Sequence, residues 1–560
     1  MSAPPKTKNF CDLDPDNVLP TRLRPRSKST QVRTQMIKLY KLAIAETTLP
    51  PKSYHGIHSR ADKDCWYRAY DKEMTNLEQI GQMTVVPRPT KAQVIPLLEL
   101  FTVKHDNIKQ EWIAKCRFVA RGDLKDTVGD FYSPVASMLG LRMFLFLSSA
   151  FPPSIRQLDV SSAFLYGKMD TPIFIHLPQG HPQKQKQEMV WTTKSAIYGL
   201  VQAPAVWHET IENSLKDFGL TPLVSERCLF AQHENDRLVM LLLLYVDDIL
   251  YIGNPDLVSK FESHISQKFQ IKFKDWAETF IGVEVNQANF PNQLYIHQKQ
   301  HILKAVDRFG LLDSRPFQTP MELDCIGDNS YASPLPDPKL YQQIIGTLNY
   351  LSNCSRPDIS FAVAFLARRC RDPTTHHLKQ AKRILVYLRD TATLCLSFSK
   401  FTGHVALDIY VDYSLGNGKD GRSIYGFVIF ANRQVLLYRS KLLPLLTTSS
   451  TESEFLAMAL TLKDLQWVHN VFCEMRLQLT HSIIYCDNQG ALRIVRSPFA
   501  IGRTKHLKLH FQSLKDSVLS GEVVARYVTS QDNVADIFTK ALRRVCFHRL
   551  RDQLLVAPAN

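Results

Sequence analysis

An apolar run of nine residues, 238–246, stops against two adjacent aspartates, Asp247 and Asp248, and resumes as Ile249, Leu250, Tyr251 and Ile252. Nine residues fall far short of the roughly 20 needed to cross a bilayer, so the run reads as a β-hairpin with the two aspartates at its turn. Period-two alternation aims Asp247 and Asp248 in different directions, so only one of them need touch a metal throughout. Upstream, residues 155–165 place a third carboxylate, Asp159, at the end of a strand entering a helix. Like charges at the ends of buried strands repel and raise one another's pKa unless a cation sits between them. Spacing alone leaves two readings open. Asp159 and Asp247 hold Mg²⁺ in a two-metal site for phosphoryl chemistry, or the aspartate pair is an ordinary turn and Asp159 a helix cap.

A chain of 560 residues suggests about three or four domains, and 45% hydrophobic with 22% charged residues reads as globular. Lys and Arg total 68 against 53 Asp and Glu, a net charge of +15 that points to a polyanionic partner. The 11 cysteines form no C-x-x-C pair, which indicates neither a zinc finger nor a secreted disulfide framework. The N-terminus lacks the apolar core of a secretory signal, and Asp12, Asp14 and Asp16 argue against a transit peptide. A cytosolic or nuclear setting is expected, with no membrane partner.

Residues 1–50 are rich in Pro, Ser, Thr and Arg, with Lys6, Lys8, Arg22, Arg24, Arg26, Lys28 and Arg33, and read as a flexible basic arm. A helical pattern begins at Trp66 (Ala69, Tyr70, Met74, Leu77, Ile80) and gives way to strands over 101–119. Residues 321–340, with three prolines, look like a linker or long loop. Residues 377–390 form an amphipathic helix, with Leu378, Ala381, Ile384, Leu385 and Leu388 on one face and Lys379, Lys382, Arg383 and Arg389 largely off it. From about 401, three strand-like runs, a helix near Ser453 and a further strand make an α/β unit.

That last unit carries four more carboxylates. Asp412 (IYVDYS) and Asp487 (IYCDNQ) end apolar strands, Glu454 (SSTESEF) sits on a helix, and Asp536 (NVADIF) opens one. One α/β unit can converge all four on a metal pair, which is what phosphodiester hydrolysis requires. The alternatives are structural: Thr451-x-x-Glu454 is a capping box, and Asp536 a helix cap.

Five motifs in the first part, KCRFVARG (115–122), QLDVSSAFLYG, AIYGLVQAPAVW (196–207), YVDD and FIGVEV (280–285), together resemble the reverse transcriptase of copia-type LTR retrotransposons. SSTESEFLA, CDN, RTKH and ADIFTK resemble the ribonuclease H domain that follows it in those elements. The resemblance implies an α+β and α/β multidomain chain: a right-hand polymerase of fingers, palm and thumb followed by a ribonuclease H-like domain. The expected divisions are the arm at 1–50, fingers and palm at 51–300, a thumb or connection-like part at 301–400 that could lie along a hybrid, and the nuclease at 401–550.

The resemblance also implies roles. Asp159 and Asp247 become metal ligands with Asp248 as supporting carboxylate. Lys115 and Arg117 match a fingers pair that meets the incoming triphosphate, for which Arg is suited by its bidentate geometry. Phe164 matches a steric gate against the ribose 2′-hydroxyl, and Gln202 a glutamine near nucleotide and template. Phe280, Ile281 and Gly282 match a primer grip, although DWAET stands where the family has an upstream glycine, which puts the local turn in question. In the nuclease Asp412, Glu454, Asp487 and Asp536 become a metal-binding tetrad. Further departures are Lys508 for an aspartate after the KH motif, Tyr438 for a tryptophan, and Ser414 for a second aspartate, while His506 receives no catalytic role.

The implied function is RNA-templated DNA synthesis from deoxynucleoside triphosphates, coupled to cleavage of the RNA strand. Each centre would use two Mg²⁺ ions, with Mn²⁺ an alternative. Implied partners are an RNA template, a DNA primer and the RNA:DNA hybrid, together with capsid-like and integrase products of the same element, which serves DNA integration. The setting would be the cytoplasm, in a virus-like particle, or the nucleus. No D-[ST]-G protease motif in a suitable context and no zinc-binding integrase array is present, so a processed or truncated element, or a gene model opening at an internal methionine, is expected. A catalytically dead remnant that binds nucleic acid is the alternative, opposed by retention of all seven carboxylates. A host repair polymerase is disfavoured because a ribonuclease H unit has no use on a DNA template.

Overall fold

The computed structural model describes residues 49–106, 111–124, 131–184, 188–323, 332–414, 422–444, 449–497 and 508–558. The expected basic arm, save residues 49 and 50, lies outside the described residues, as do His506 and much of the 321–340 linker. The protein is mixed helix and sheet and divides into two compact units that interleave along the chain: 1–134 with 160–218 and 265–272, and 135–159 with 219–264 and 273–560. Among the described residues no helix is long and apolar enough to cross a membrane.

In the first unit the helix Lys63–Gln79 buries Trp66, Tyr70 and Leu77, three of the positions whose helical spacing predicts it. It packs beside a long hairpin, Leu97–Asp106 paired with Glu111–Ala120. A four-stranded sheet runs in the order Thr84–Pro87, Met189–Ser195, Lys168–His176 and Val94–Ile95. The helix Ala203–Phe218 buries Trp207, Ile211 and Leu215.

The second unit has three sheets. In the first, Arg156–Val160, Asp248–Gly253, Arg237–Tyr245, Leu229–Glu234 and Thr221–Pro222 lie side by side, each antiparallel to the next. Leu241, Leu242, Leu243 and Leu244 are all buried, so this strand is covered on both faces. The turn differs from the sequence reading. Tyr245 pairs with Asp248, which makes Val246 and Asp247 the turn, with Val246 at φ 54°, and leaves Asp248 inside the next strand. Asp159 is followed not by a full helix but by a short 3-10 turn, Ala163–Tyr166.

The second sheet runs Thr279–Phe280, Val283–Asn289, Gln293–His297 and Leu396–Ser399. Among the helices of this unit, Lys339–Cys354 buries Tyr341, Ile344, Ile345, Leu348 and Leu351. The helix Thr375–Asp390 starts from Thr374 in a capping box and buries Ala381, Ile384, Leu385 and Leu388 as expected. Its basic face is only partly free for a ligand. Arg383 pairs with Glu322 at 2.7 Å, and Arg389 donates to Leu311 O at 3.0 Å.

The third sheet runs Gln434–Leu442, Ile424–Ala431, His404–Ser414, Gln478–Cys486 and Val524–Tyr527; the first three strands are antiparallel and the last two parallel to the central one. The long helix Ser450–Glu474 packs on it. These are the strand, strand, strand, helix, strand elements that the pattern after residue 401 predicts.

A buried ion pair ties the helices of this unit together. Arg356 and Asp358, both with fully buried side chains, meet at 2.7 Å; Arg356 also donates to Thr391 O at 3.0 Å, and Tyr387 Oη donates to Asp358 at 2.6 Å. Removing one partner of such a pair strands the other charge. Asp358→Ala should therefore lower stability by about 3–5 kcal/mol, read as an earlier urea midpoint at unchanged slope. An unchanged midpoint would mean that the pair is not closed to water.

Candidate active sites

Asp159 and Asp248 are register partners on adjacent antiparallel strands, so pairing alone brings their carboxylates together. Asp248 is pushed up to about 6, first by burial and then by the charges of Asp247 and Asp159, while Gln157 and Lys274 partly offset the rise. Gln157 Nε2 lies 3.3 Å from Asp248 Oδ1 and 3.3 Å from Thr279 O, connecting the aspartates to the neighbouring hairpin. In that hairpin Phe280 pairs with Val283, which makes Ile281 and Gly282 a two-residue turn with φ of 51° and 68°. Two positive φ values in succession define a tight hairpin turn, so the chain turns here without an upstream glycine. Tyr350 Oη donates to Ile281 O at 2.7 Å, and a Cβ on Gly282 would overlap that hydroxyl. The rings of Tyr245 and Phe280 meet edge-on at 6.2 Å.

In the first unit Arg117 and Phe164 converge on Tyr198, a residue for which sequence reasoning gave no role. The Arg117 guanidinium lies 5.6 Å from the Tyr198 ring centroid and the Phe164 ring 4.7 Å from it. Gly199, at φ 94°, lets the Tyr198 turn close onto the hairpin strand: Ala120 N donates to Tyr198 O at 2.7 Å, and a Cβ at Gly199 would overlap Ala120 O. Lys115 is exposed two residues from Arg117, on the same face of that strand. Gln202 Oε1 is buried with no hydrogen-bond partner among the described residues.

The third sheet gathers the other four carboxylates. Asp412, on the central strand, is buried and pushed up to about 7, chiefly by burial; Lys540 and Thr539 offset the rise, and the charges of Asp536 and Asp487 add to it. Glu454 is raised well above the usual carboxylate range by burial and by Asp412 and Asp487. Its capping-box reading is incorrect. Ser449 caps the helix, accepting from Glu452 N at 3.2 Å, and Glu454 is one turn further in, where it accepts from Cys486 Sγ at 3.7 Å. Asp536 is not a cap either, because Asn533 caps that turn by accepting from Ala535 N at 3.2 Å. Asp487 accepts from Ser530 Oγ at 2.7 Å.

Between these groups sits Lys540, whose Nζ is 2.9 Å from Asp536 Oδ1 and 3.6 Å from Asp412 Oδ2. Its position four residues after Asp536 is the sequence signal that points to it. A cleft of about 560 Å³ opens over Asp412, Ser414, Glu454, Asp487 and Lys540. Ligand atoms of Glu454, Cys486 and Asp487 lie within 4.8 Å of one another. Converging carboxylate oxygens around a lysine ammonium suit a hard divalent cation. The Asp159 centre has the same donor chemistry, although no three of its ligand atoms come within that distance.

Two separate carboxylate centres of this kind, one at each of two sheets, have the donor chemistry of metal-dependent phosphoryl-transfer proteins. Comparison with known proteins narrows it. Residues 81–323 match the family described as reverse transcriptase (RNA-dependent DNA polymerase). The chain is 31% identical over 545 residues to the Retrovirus-related Pol polyprotein from transposon RE1 of Arabidopsis thaliana, covering 95% of this chain and 36% of that one. It is 30% identical over 314 residues to the transposon Ty5-1 protein of Saccharomyces cerevisiae, covering 55% of this chain and 100% of that protein. The chain belongs to the reverse transcriptase family of copia-type retrotransposon Pol polyproteins. It spans about a third to two-fifths of the length of the polyproteins it matches. Among solved structures, a foamy viral protease-reverse transcriptase in complex with RNA/DNA hybrid has a TM-score of 0.42 and 12% identity, over 90% of this chain and 61% of that one. An RNase H1, LC11, has a TM-score of 0.20 and 19% identity, over 24% of this chain and 93% of that one.

The environment of Asp248 sets a pH dependence. Its pKa is raised in the folded protein, so the native state favours the protonated form, and stability is lost as pH rises through about 6. Asp248→Asn removes this loss. In EDTA at pH 8 the variant should be more stable than the parent by up to about 3 kcal/mol, a gain that shrinks by about half at pH 5. Thermal melts at the two pH values check this, and a gain that grows toward pH 5 would contradict it.

Proposed function

We propose that this chain copies RNA into DNA from deoxynucleoside triphosphates and cleaves the RNA strand of the hybrid it makes, using a separate carboxylate centre for each reaction. The observation that carries this reading is the pair of centres itself, three aspartates at one hairpin of the first sheet and four carboxylates gathered around the third, in a chain whose residues 81–323 match a reverse transcriptase family.

Asp159 and Asp247 would hold Mg²⁺ at the first centre, with Asp248, the register partner of Asp159, as supporting carboxylate, and Asp412, Glu454, Asp487 and Asp536 would do so at the second. When bound, such ions acidify the attacking hydroxyl or water and stabilise charge on the leaving oxygen. The protein's own share is positioning. Gln157 fixes Asp248, Ser530 fixes Asp487 and Thr539 Oγ1 donates to Asp412, so the carboxylates are oriented before substrate arrives. Lys540 supplies positive charge where Asp412 and Asp536 would otherwise repel. Lys115 and Arg117 offer charge to a triphosphate. Phe164, braced edge-on by Tyr198, would stand against a ribose 2′-hydroxyl. A net charge of +15 suits a partner made of phosphates.

Separate centres should fail separately. Asp247→Asn should reduce primer extension on an RNA template by 100-fold or more, on the order expected for losing such a group, while leaving cleavage of a preformed hybrid intact; Asp487→Asn should do the reverse. If either change in a folded protein abolishes both activities, the assignment of two centres is wrong. Phe164→Val should let ribonucleotides compete in single-nucleotide incorporation, and unchanged discrimination would remove the gate role from Phe164.

A further inference from the structure

Arg142 sits in the helix Met138–Ser148, whose residues from Leu139 onward are all buried. A guanidinium in such a place is costly unless its donors are satisfied. Every oxygen that accepts from Arg142 is neutral, and its Nε is buried with no acceptor among the described residues. Its Nη groups donate to Asn353 O at 2.5 Å, Cys354 O at 3.0 Å, Leu436 O at 3.1 Å and Tyr438 Oη at 2.9 Å, and the guanidinium lies 4.5 Å from the Tyr438 ring centroid. The first two carbonyls end the helix Lys339–Cys354, where they lack intrahelical partners and form the negative pole of its dipole. The other two acceptors belong to the strand Gln434–Leu442 of the third sheet. One side chain thus joins three elements, using the fixed fork of donors that only arginine has.

The contacts continue in both directions. Tyr438 Oη donates to Ser352 O at 2.7 Å, and its ring stacks on Phe538 at 5.9 Å with planes 16° apart. Phe538 lies between Asp536 and Thr539, and Thr539 donates to Asp412. On the other side, the helix of Arg142 packs on the strand Arg237–Tyr245 that leads into Asp247 and Asp248. A second connection runs alongside. Glu474, at the end of the Glu454 helix, accepts from Val224 N at 2.6 Å and Ser225 Oγ at 2.6 Å, and Trp467 Nε1 donates to Ser225 O at 2.7 Å.

We propose that Arg142 is a positioning residue that holds the nuclease carboxylates at one fixed distance from the polymerase carboxylates, so that RNA is cut at a single spacing behind the primer 3′ end. This rests on the two-activity reading given above. The test uses a labelled RNA template annealed to a DNA primer with a recessed 3′ end, comparing the parent with Arg142→Met and Tyr438→Phe. The parent should give one dominant cut position, and both variants should spread the cuts over several positions while cleaving a blunt hybrid at the parent's rate. A structural role alone would change amounts and not positions. Retention of the single position by either folded variant overturns the proposal, and Tyr438→Phe, which keeps the ring, serves if Arg142→Met does not fold. Should the parent show no activity, the functional reading fails, but the positioning claim is still decided by nitroxide labels at Asp256→Cys and Gln531→Cys with other reactive cysteines replaced. A narrow distance distribution that broadens in the variants supports it, and an unchanged width overturns it.

Discussion

Carboxylates taken out of water and set beside one another are the constraint around which this protein is arranged. Raising Asp248 from its ordinary value to about 6 corresponds to about 3 kcal/mol of cost when the group is ionised. The strand leading to it opposes that cost with four buried leucines, Leu241 to Leu244, each contributing about 1.5–3 kcal/mol. The apolar burial therefore exceeds the cost of desolvating and crowding the carboxylate, and a charge can be kept where it is unfavourable. The sheet holding Asp412 meets the same problem with more charge, and there a lysine on the following turn stands among the acids. In both places the fold holds acidic groups that a cation would relieve, which is the state a metal-dependent phosphoryl-transfer centre must be in before it is loaded.

The two centres differ in how far they are closed. At Asp412 and Glu454 burial is nearly complete, and hydroxyl, thiol and ammonium partners surround the acids. At Asp159, Asp247 and Asp248 the carboxylates are half-buried, and Gln157 is the polar side chain that fixes one of them. On the reading proposed above, the Asp159 centre would serve a chain end that must advance after each addition. The other, with Asp412 and Glu454 buried beneath an open cleft, would on that reading serve hydrolysis, and the seating of the third sheet on the Arg142 helix would then bear on function as well as stability.

Much of this was legible in the sequence because strands ending in acids leave a strong mark: apolar runs broken by aspartate at 159, 247, 412 and 487 are rare unless a cation is intended. What remained hidden depended on tertiary register. The hairpin turn falls on Val246 and Asp247 instead of the two aspartates because Tyr245 pairs with Asp248, and hydrophobicity alone does not fix pairing to one residue. Thr451 and Glu454 have capping-box spacing, yet Ser449 lies in the extended conformation at the helix start and takes the cap, freeing Glu454 to turn inward. DWAET in place of an upstream glycine leaves the turn open in the sequence, and in the fold Ile281 and Gly282 make it themselves. Tyr198, Cys486 and Lys540 lie inside recognised motifs but acquire meaning only from what folds against them.

The central claim is that one chain carries two working centres. The most direct measurement is extension of a DNA primer on an end-labelled RNA template by the purified chain with Mg²⁺, reading primer and RNA fragments from the same tube. The account predicts a lengthened primer together with RNA cleavage, both abolished by EDTA. Folded protein that binds the hybrid yet yields neither product would contradict it, and would describe a retrotransposon remnant that holds nucleic acid without turning it over.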